Sequence, residues 1–297
     1  MKKILSEKSN LIFIALIIAF GLWFNLPGAN FAGLVAPGDH GRDLYAFGQA
    51  LKGAQPYQDY WWVYGPLMPY YYALSYKIFG ISIQAVLQAR FILVVLSGLF
   101  VFLTLARFIS PLVALAATLW FWCFRPEFFY TYNHVGGAFF SILILFFLSR
   151  YLLFTDKKYL YAGLISVFGL CLIKINMGLF GLISFLISCV IFDYAKNKKI
   201  LHKKLYLNAL WIIPSLLSFI LWFFVRRLHF YEIRQCFPYL KGDYPFHTSL
   251  WSSFTGFAQM MILNFTSWSL SKFLFGLIIF ICLQRLIGPF LKHKKDP

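Results

Sequence analysis

Charge is scarce in this chain. Only 12% of its 297 residues are Asp, Glu, Lys or Arg, and just ten are acidic. A soluble domain of this length carries about twice that charge, so a soluble globular class is excluded. Cysteine is sparse and unpatterned. Cys123, Cys171, Cys189, Cys236 and Cys282 form no CxxC and sit mostly in apolar runs, where they read as small hydrophobes rather than a disulfide or zinc framework. HExxH, DxD, Walker and Rossmann glycine patterns are all missing. That leaves zinc-peptidase chemistry and the use of nucleotide-sugars or ATP without a sequence signal. The net charge of +17 does not point to nucleic acid, because the basic residues gather in short segments between apolar runs and at the C-terminus.

What the chain has in abundance is apolar surface. It is 61% hydrophobic and 21% aromatic, with mean hydropathy +0.72. Apolar runs fall near 11–27, 64–80, 86–107, 111–124, 135–154, 159–175, 177–194, 207–226 and 269–290. Runs of about 20 residues argue for membrane spans, and in lipid such spans are helical because every backbone group must be satisfied internally. The fold class expected is an all-α polytopic membrane protein, a single transmembrane domain over residues 1–297. The start, Met-Lys-Lys-Ile-Leu, precedes an apolar run with no small-residue cleavage site and reads as a retained first span.

Charge parity sets the topology. If all nine runs crossed, the basic stretch 196–204 would lie outside, against the positive-inside rule. The run 64–80 is the best candidate for a segment that does not cross. It is short, opens Tyr64-Gly-Pro-Leu-Met-Pro, and carries five tyrosines and Lys77, a composition suited to an interfacial or re-entrant segment. Eight spans then remain, with both termini cytoplasmic and long outer loops at about 28–85 and 227–268. Arg107, Arg150, Lys157, Lys158, the 196–204 cluster and the last lysines all fall inside.

Three of the ten acids, Asp39, Asp43 and Asp59, crowd the first outer loop. On a helix, Asp39, Arg42 and Asp43 share a face. Asp39 reads either as a helix N-cap or as a general base at the membrane surface. Asp43 orients Arg42 or an acceptor, or is part of a plain surface pair. Arg42 serves as a bidentate phosphate ligand or as an ion-pair partner of Asp39 or Asp43. Asp59, in Pro56-Tyr-Gln-Asp-Tyr60, is a turn residue or a substrate contact. Glu127 follows Pro126 at a helix start, where an acid complements the dipole. Lys174 closes the run Leu-Cys-Leu-Ile at its outer end. A lysine there either snorkels to the interface or meets an anion that offsets its cost. His134 is an interfacial histidine or an assistant to Glu127. Tyr60 and Tyr64 are interface anchors or stack on sugar rings.

The order Asp39-x-Gly-x-x-x-Tyr45, Gly53-Ala-Gln-Pro-Tyr-Gln-Asp59, Gly65-Pro-Leu67 and Phe79-Gly80 resembles the first outer loop of GT-C class glycosyltransferases. The protein O-mannosyltransferase and aminoarabinose-transferase group is the nearest in pattern. Gly65 stands where that group has the first of two prolines. Arg125-Pro-Glu127 is similar to the family's second outer-loop acid, and the stretch from Ala162-Gly163 through Leu172-Ile-Lys174-Ile-Asn176 to its Gly…Leu-x-x-Lys span. The likeness covers about residues 10–195.

It implies a GT-C helical bundle of about eight transmembrane helices with juxtamembrane helices in the first outer loop. It further implies inverting transfer of a sugar from a polyprenyl-phosphate carrier to a lipid, glycan or protein hydroxyl on the non-cytoplasmic face of a bacterial inner membrane. Asp39, by its spacing to Gly53, would be the catalytic acid. Asp43 and Glu127 would stand with it, and Arg42 and Lys174 would hold the donor phosphate. No cofactor is expected, although Asp39 and Glu127 together suit a divalent ion. Two rival readings stand beside this one. The first is a transporter or flippase of lipid-linked sugars, against which the chain shows no internal repeat. The second is a truncated, inactive relative, suggested by the short length.

Overall fold

The computed structural model describes residues 7–25, 39–123 and 132–215, with side chains at 11–23, 40–122 and 132–215. All of these lie in the first of two compact units, Met1–Leu228; the second is His229–Pro297. The outer loop expected at 227–268, the last apolar run and Glu127 fall outside the described residues.

The described residues are helical apart from their connections. In chain order the helices are α1 Glu7–Asn25, α2 Asp39–Leu51, α3 Leu67–Phe79, α4 Ile83–Leu105, α5 Pro111–Cys123, α6 Tyr132–Phe154, α7 Lys157–Ile173, α8 Ile175–Asn197 and α9 Lys203–Ala209. Among them α4, α6 and α8 are long and apolar enough to cross a membrane. At about 1.5 Å per residue, α3 spans only about 20 Å, short of the ~30 Å hydrocarbon core.

Local chemistry explains the helix ends. The left-handed φ of +84° at Gly80 closes α3. Two residues later Ser82 caps α4, its hydroxyl accepting the Ala85 N–H at 3.1 Å. Asp156 caps α7 in the same way through Lys158 N–H at 3.0 Å. Lys174, with extended backbone, both ends α7 and begins α8. This single residue folds two helices into a hairpin.

Small residues let the helices touch. A Cβ at Gly178 would lie 2.4 Å from the Cα of Cys171, and one at Gly163 would lie 2.3 Å from the Phe185 ring. Both notches clamp α7 to α8 by close packing, the main attraction open to helices in lipid. Between α4 and α5, Trp122 fills the space over Gly98 and donates its indole N–H to Val94 O at 3.1 Å.

The bundle has two polar ends, separated along α6. At one end α2, α3 and the 52–66 loop pack over the starts of α4 and α6. At the other, Asp193 of α8 is fully buried. Its carboxylate accepts the Tyr151 hydroxyl at 3.0 Å, the Tyr206 hydroxyl at 2.6 Å and the Leu201 N–H at 3.0 Å. This latch ties α9 and the basic loop to α6 and α8. Burial, helped by the bond to Asp193, pushes the Tyr206 phenol well above its ordinary pKa, so it stays protonated and able to donate.

Candidate functional site

The 52–66 loop is built to hold its shape. Tyr57 N–H donates to Tyr60 O at 2.8 Å, the Tyr57 hydroxyl donates to Tyr64 O, and Trp62 Nε1–H donates to Gly65 O at 3.0 Å. Asp59 belongs to this turn, its carboxylate accepting Gln55 N–H at 2.7 Å. The loop then docks on the α7–α8 corner. Gly65 N–H donates to Ile173 O at 2.8 Å, and a Cβ at Gly65 would lie 2.0 Å from Leu172 O. A proline at 65 would lose that donor and overlap the corner.

Docking brings four of the residues singled out in the sequence into one cluster. The Arg42 guanidinium carbon sits 5.1 Å from the centre of the Tyr64 ring and 5.9 and 5.7 Å from the Trp61 and Trp62 rings. The Lys174 ammonium sits 5.6 Å from the same Tyr64 ring. It also lies 3.4 Å from His134 Nε2. An ammonium has no lone pair, so Nε2 must accept this long hydrogen bond and His134 carries its proton on Nδ1. The His134 and Tyr64 rings meet edge-on at 6.2 Å. Two cations thus share one aromatic wall, with geometry suited to cation–π attraction.

Arg42 is paired with its neighbour Asp43, through Nη2 at 2.9 Å and Nε at 3.2 Å. Asp43 is fully buried and also accepts Asn133 Nδ2–H at 3.1 Å. That bond fixes the amide orientation, because a flipped amide would set its oxygen against the carboxylate. Asn133 Oδ1 is then left buried with no partner. Among the described residues Lys174 has no carboxylate partner.

Asp39 is the first residue of α2, one turn before Asp43; its side chain lies outside those described. Tyr60 packs edge-on against Tyr45 at 6.4 Å, and its hydroxyl is buried without a partner. Burial, then the nearby Tyr70 and Asp59, hold the Tyr60 phenol above its ordinary pKa, so it is a donor at any physiological pH. The structure leaves Asp59 in its turn rather than in the cluster. Among the described residues no group of three His, Cys, Asp or Glu is placed to hold a metal; this does not reach the expected Asp39–Glu127 pair.

Sequence reasoning missed Asn133, Trp61 and Trp62. A signal for the first was present, since an asparagine at the head of an apolar helix needs a polar partner. The tryptophan pair carried no such cue, being equally at home as interfacial anchors. The arrangement offers two cations, aromatic walls and an unmet acceptor to a ligand with an anionic and a hydroxyl-bearing part. No family model, no curated protein and no solved structure matches this chain.

Proposed function

We propose that this chain is a membrane glycosyltransferase of the GT-C type, transferring a sugar with inversion from a polyprenyl-phosphate carrier to a hydroxyl on the non-cytoplasmic face. The observation that carries the reading is the meeting of Arg42, Tyr64, His134 and Lys174, residues distant in sequence, at one end of the bundle. The opposite end collects Arg107, Arg150 and the lysines of 196–204, so by the positive-inside rule the Lys174 end faces away from the cytoplasm. In a bacterium that is the outer side of the inner membrane.

In this reading Lys174 and Arg42 receive the donor phosphate by charge-assisted hydrogen bonds. The Asp43 carboxylate is committed to Arg42 and Asn133, so it holds Arg42 in place and is a poor base. Asp39, one turn earlier, takes the proton of the acceptor hydroxyl. The acceptor oxygen forms a bond to the anomeric carbon as the bond from that carbon to the phosphate oxygen breaks. The polyprenyl phosphate leaves with the electron pair, beside the two cations. Asn133 Oδ1 and the Tyr60 hydroxyl are a spare acceptor and donor for sugar or acceptor hydroxyls. No metal is required for these steps.

The test is transfer by the reconstituted full chain, using a labelled polyprenyl-phosphate sugar and a mixed pool of lipid and glycan acceptors. Wild type should release polyprenyl phosphate and label an acceptor. Asp39→Asn should slow transfer by about 10²–10⁴-fold with donor binding largely kept. Near-normal turnover in that variant would reject the base. Movement of intact donor across the bilayer without transfer would favour the transporter reading.

A further inference from the structure

The end of the bundle opposite the candidate site holds a second unbalanced cluster. Arg150 lies in the last turns of α6, half-buried, with its guanidinium carbon 5.0 Å from the Phe146 ring centre. Phe146 in turn meets Phe100 of α4 edge-on at 5.1 Å, so α4 and α6 run together here. Arg107 is exposed in the turn after α4, at the same end of the packed α4–α6 pair, and Tyr159 lies in the first turn of α7, which follows α6. Arg150 Nε is buried and has no hydrogen-bond partner. Among the described residues neither arginine is paired with a carboxylate, and Asp156, which caps α7, is paired with Lys158 at 2.9 Å.

A buried guanidinium N–H with no acceptor, at an end of the bundle where a second arginine lies, is unfavourable unless an anion meets it. We propose that Arg107 and Arg150 hold the phosphate of an anionic phospholipid. Nε and one terminal nitrogen of Arg150 form one edge of the guanidinium fork, which matches two phosphate oxygens. Arg107 adds charge from the solvent side, and the Tyr159 hydroxyl a further donor. Apolar surface lies beside the cluster: Phe154, one turn from Arg150, and Leu145 are both more than half exposed. A free phosphate has no use for that surface, whereas acyl chains cover it. Basic pockets between spans at the cytoplasmic side suit such headgroups.

The test is native mass spectrometry of the purified full chain titrated with phosphatidylglycerol, phosphatidylcholine of the same chains, and inorganic phosphate. Wild type should retain phosphatidylglycerol in preference to phosphatidylcholine. Arg107→Gln and Arg150→Gln should each weaken that binding about tenfold, or about 1.4 kcal/mol. Lys199→Gln with Lys203→Gln, which removes exposed charge from the basic loop and the start of α9, should stay within about twofold. Because Arg107 is exposed, its variant is expected to fold normally, and phosphatidylglycerol should raise the Tm of wild type but not of Arg107→Gln. Equal retention of both lipids, unchanged binding in the arginine variants, or an equal loss in the lysine variant would each overturn the site. Displacement of the lipid by millimolar inorganic phosphate would reassign it to a free anion.

Discussion

Each end of α6 meets a fully buried carboxylate, and the two are treated differently. Asp193 is surrounded by neutral donors from the protein itself, two phenols and a backbone N–H. That arrangement is closed, with its donors all spent on one acid. Asp43 is met by a guanidinium and an amide, and the same end holds, among the described residues, a lysine without a carboxylate partner and an amide oxygen without a hydrogen-bond partner. Burial of an acid therefore does not mark a functional site. What separates the two ends is the leftover hydrogen-bonding capacity around the acid.

This contrast can be broken most directly at Asp193. Replacing it by alanine leaves one buried phenol and an amide without an acceptor, since the Tyr151 and Tyr206 hydroxyls still meet at 2.7 Å, so stability should fall by about 2–4 kcal/mol. Thermal unfolding in detergent reads this, and donor binding at a permissive temperature should persist. An unchanged Tm with donor binding lost would reverse the roles of the two ends.

The next effect in size belongs to Lys174. Its replacement by methionine keeps the length and apolar stem but removes the charge. Donor affinity should weaken by about 10- to 150-fold, the worth of a charge-assisted hydrogen bond of about 1.5–3 kcal/mol. Stability should hold or rise, since an ammonium near lipid is costly. Lys174→Arg should keep part of the binding. Equilibrium binding of a polyprenyl-phosphate sugar to the three proteins decides it, and an affinity within about twofold for methionine would make Lys174 a snorkelling residue only.

The smallest effect is expected at Gly65. Alanine there must lift the loop from the α7–α8 corner or shift Leu172, with a stability cost of about 1–2 kcal/mol. Donor affinity should fall with it, because Tyr64 moves too. If the Tm drops and binding stays at the wild-type level, the docked loop does not form the site.

The sequence carried the helical, membrane-type character through its apolar runs, three of which become helices long enough to cross a membrane. Lys174 was legible because a lysine ending an apolar run is costly wherever it lies. The ambiguity at Arg42 was real: helical spacing allowed Asp39 or Asp43, and the observed partner is its chain neighbour. The turn at Asp59 was one of two open readings, and its bond to Gln55 explains that residue without a ligand. The Asp193 latch was not legible. Tyr151, Asp193 and Tyr206 sit in three separate helices, and no local pattern links them. Asn133 was hidden for the same reason, since its partner lies 90 positions away. Contacts set by packing between helices leave little trace in local spacing.

The bond from Gly65 to Ile173 also sets an order of events during synthesis. Its two halves are made about a hundred residues apart, which at about 5–20 residues per second is roughly 5–20 s of translation. Until α7 has emerged and turned at Lys174, the first loop has no corner to rest on, and Tyr64 cannot stand beside both cations. The Asp193 latch, by contrast, closes within 13 positions of its last partner, Tyr206. The earliest-made part of the site is therefore the last to find its place, and a chain halted before α7 would enter the membrane without assembling the cluster.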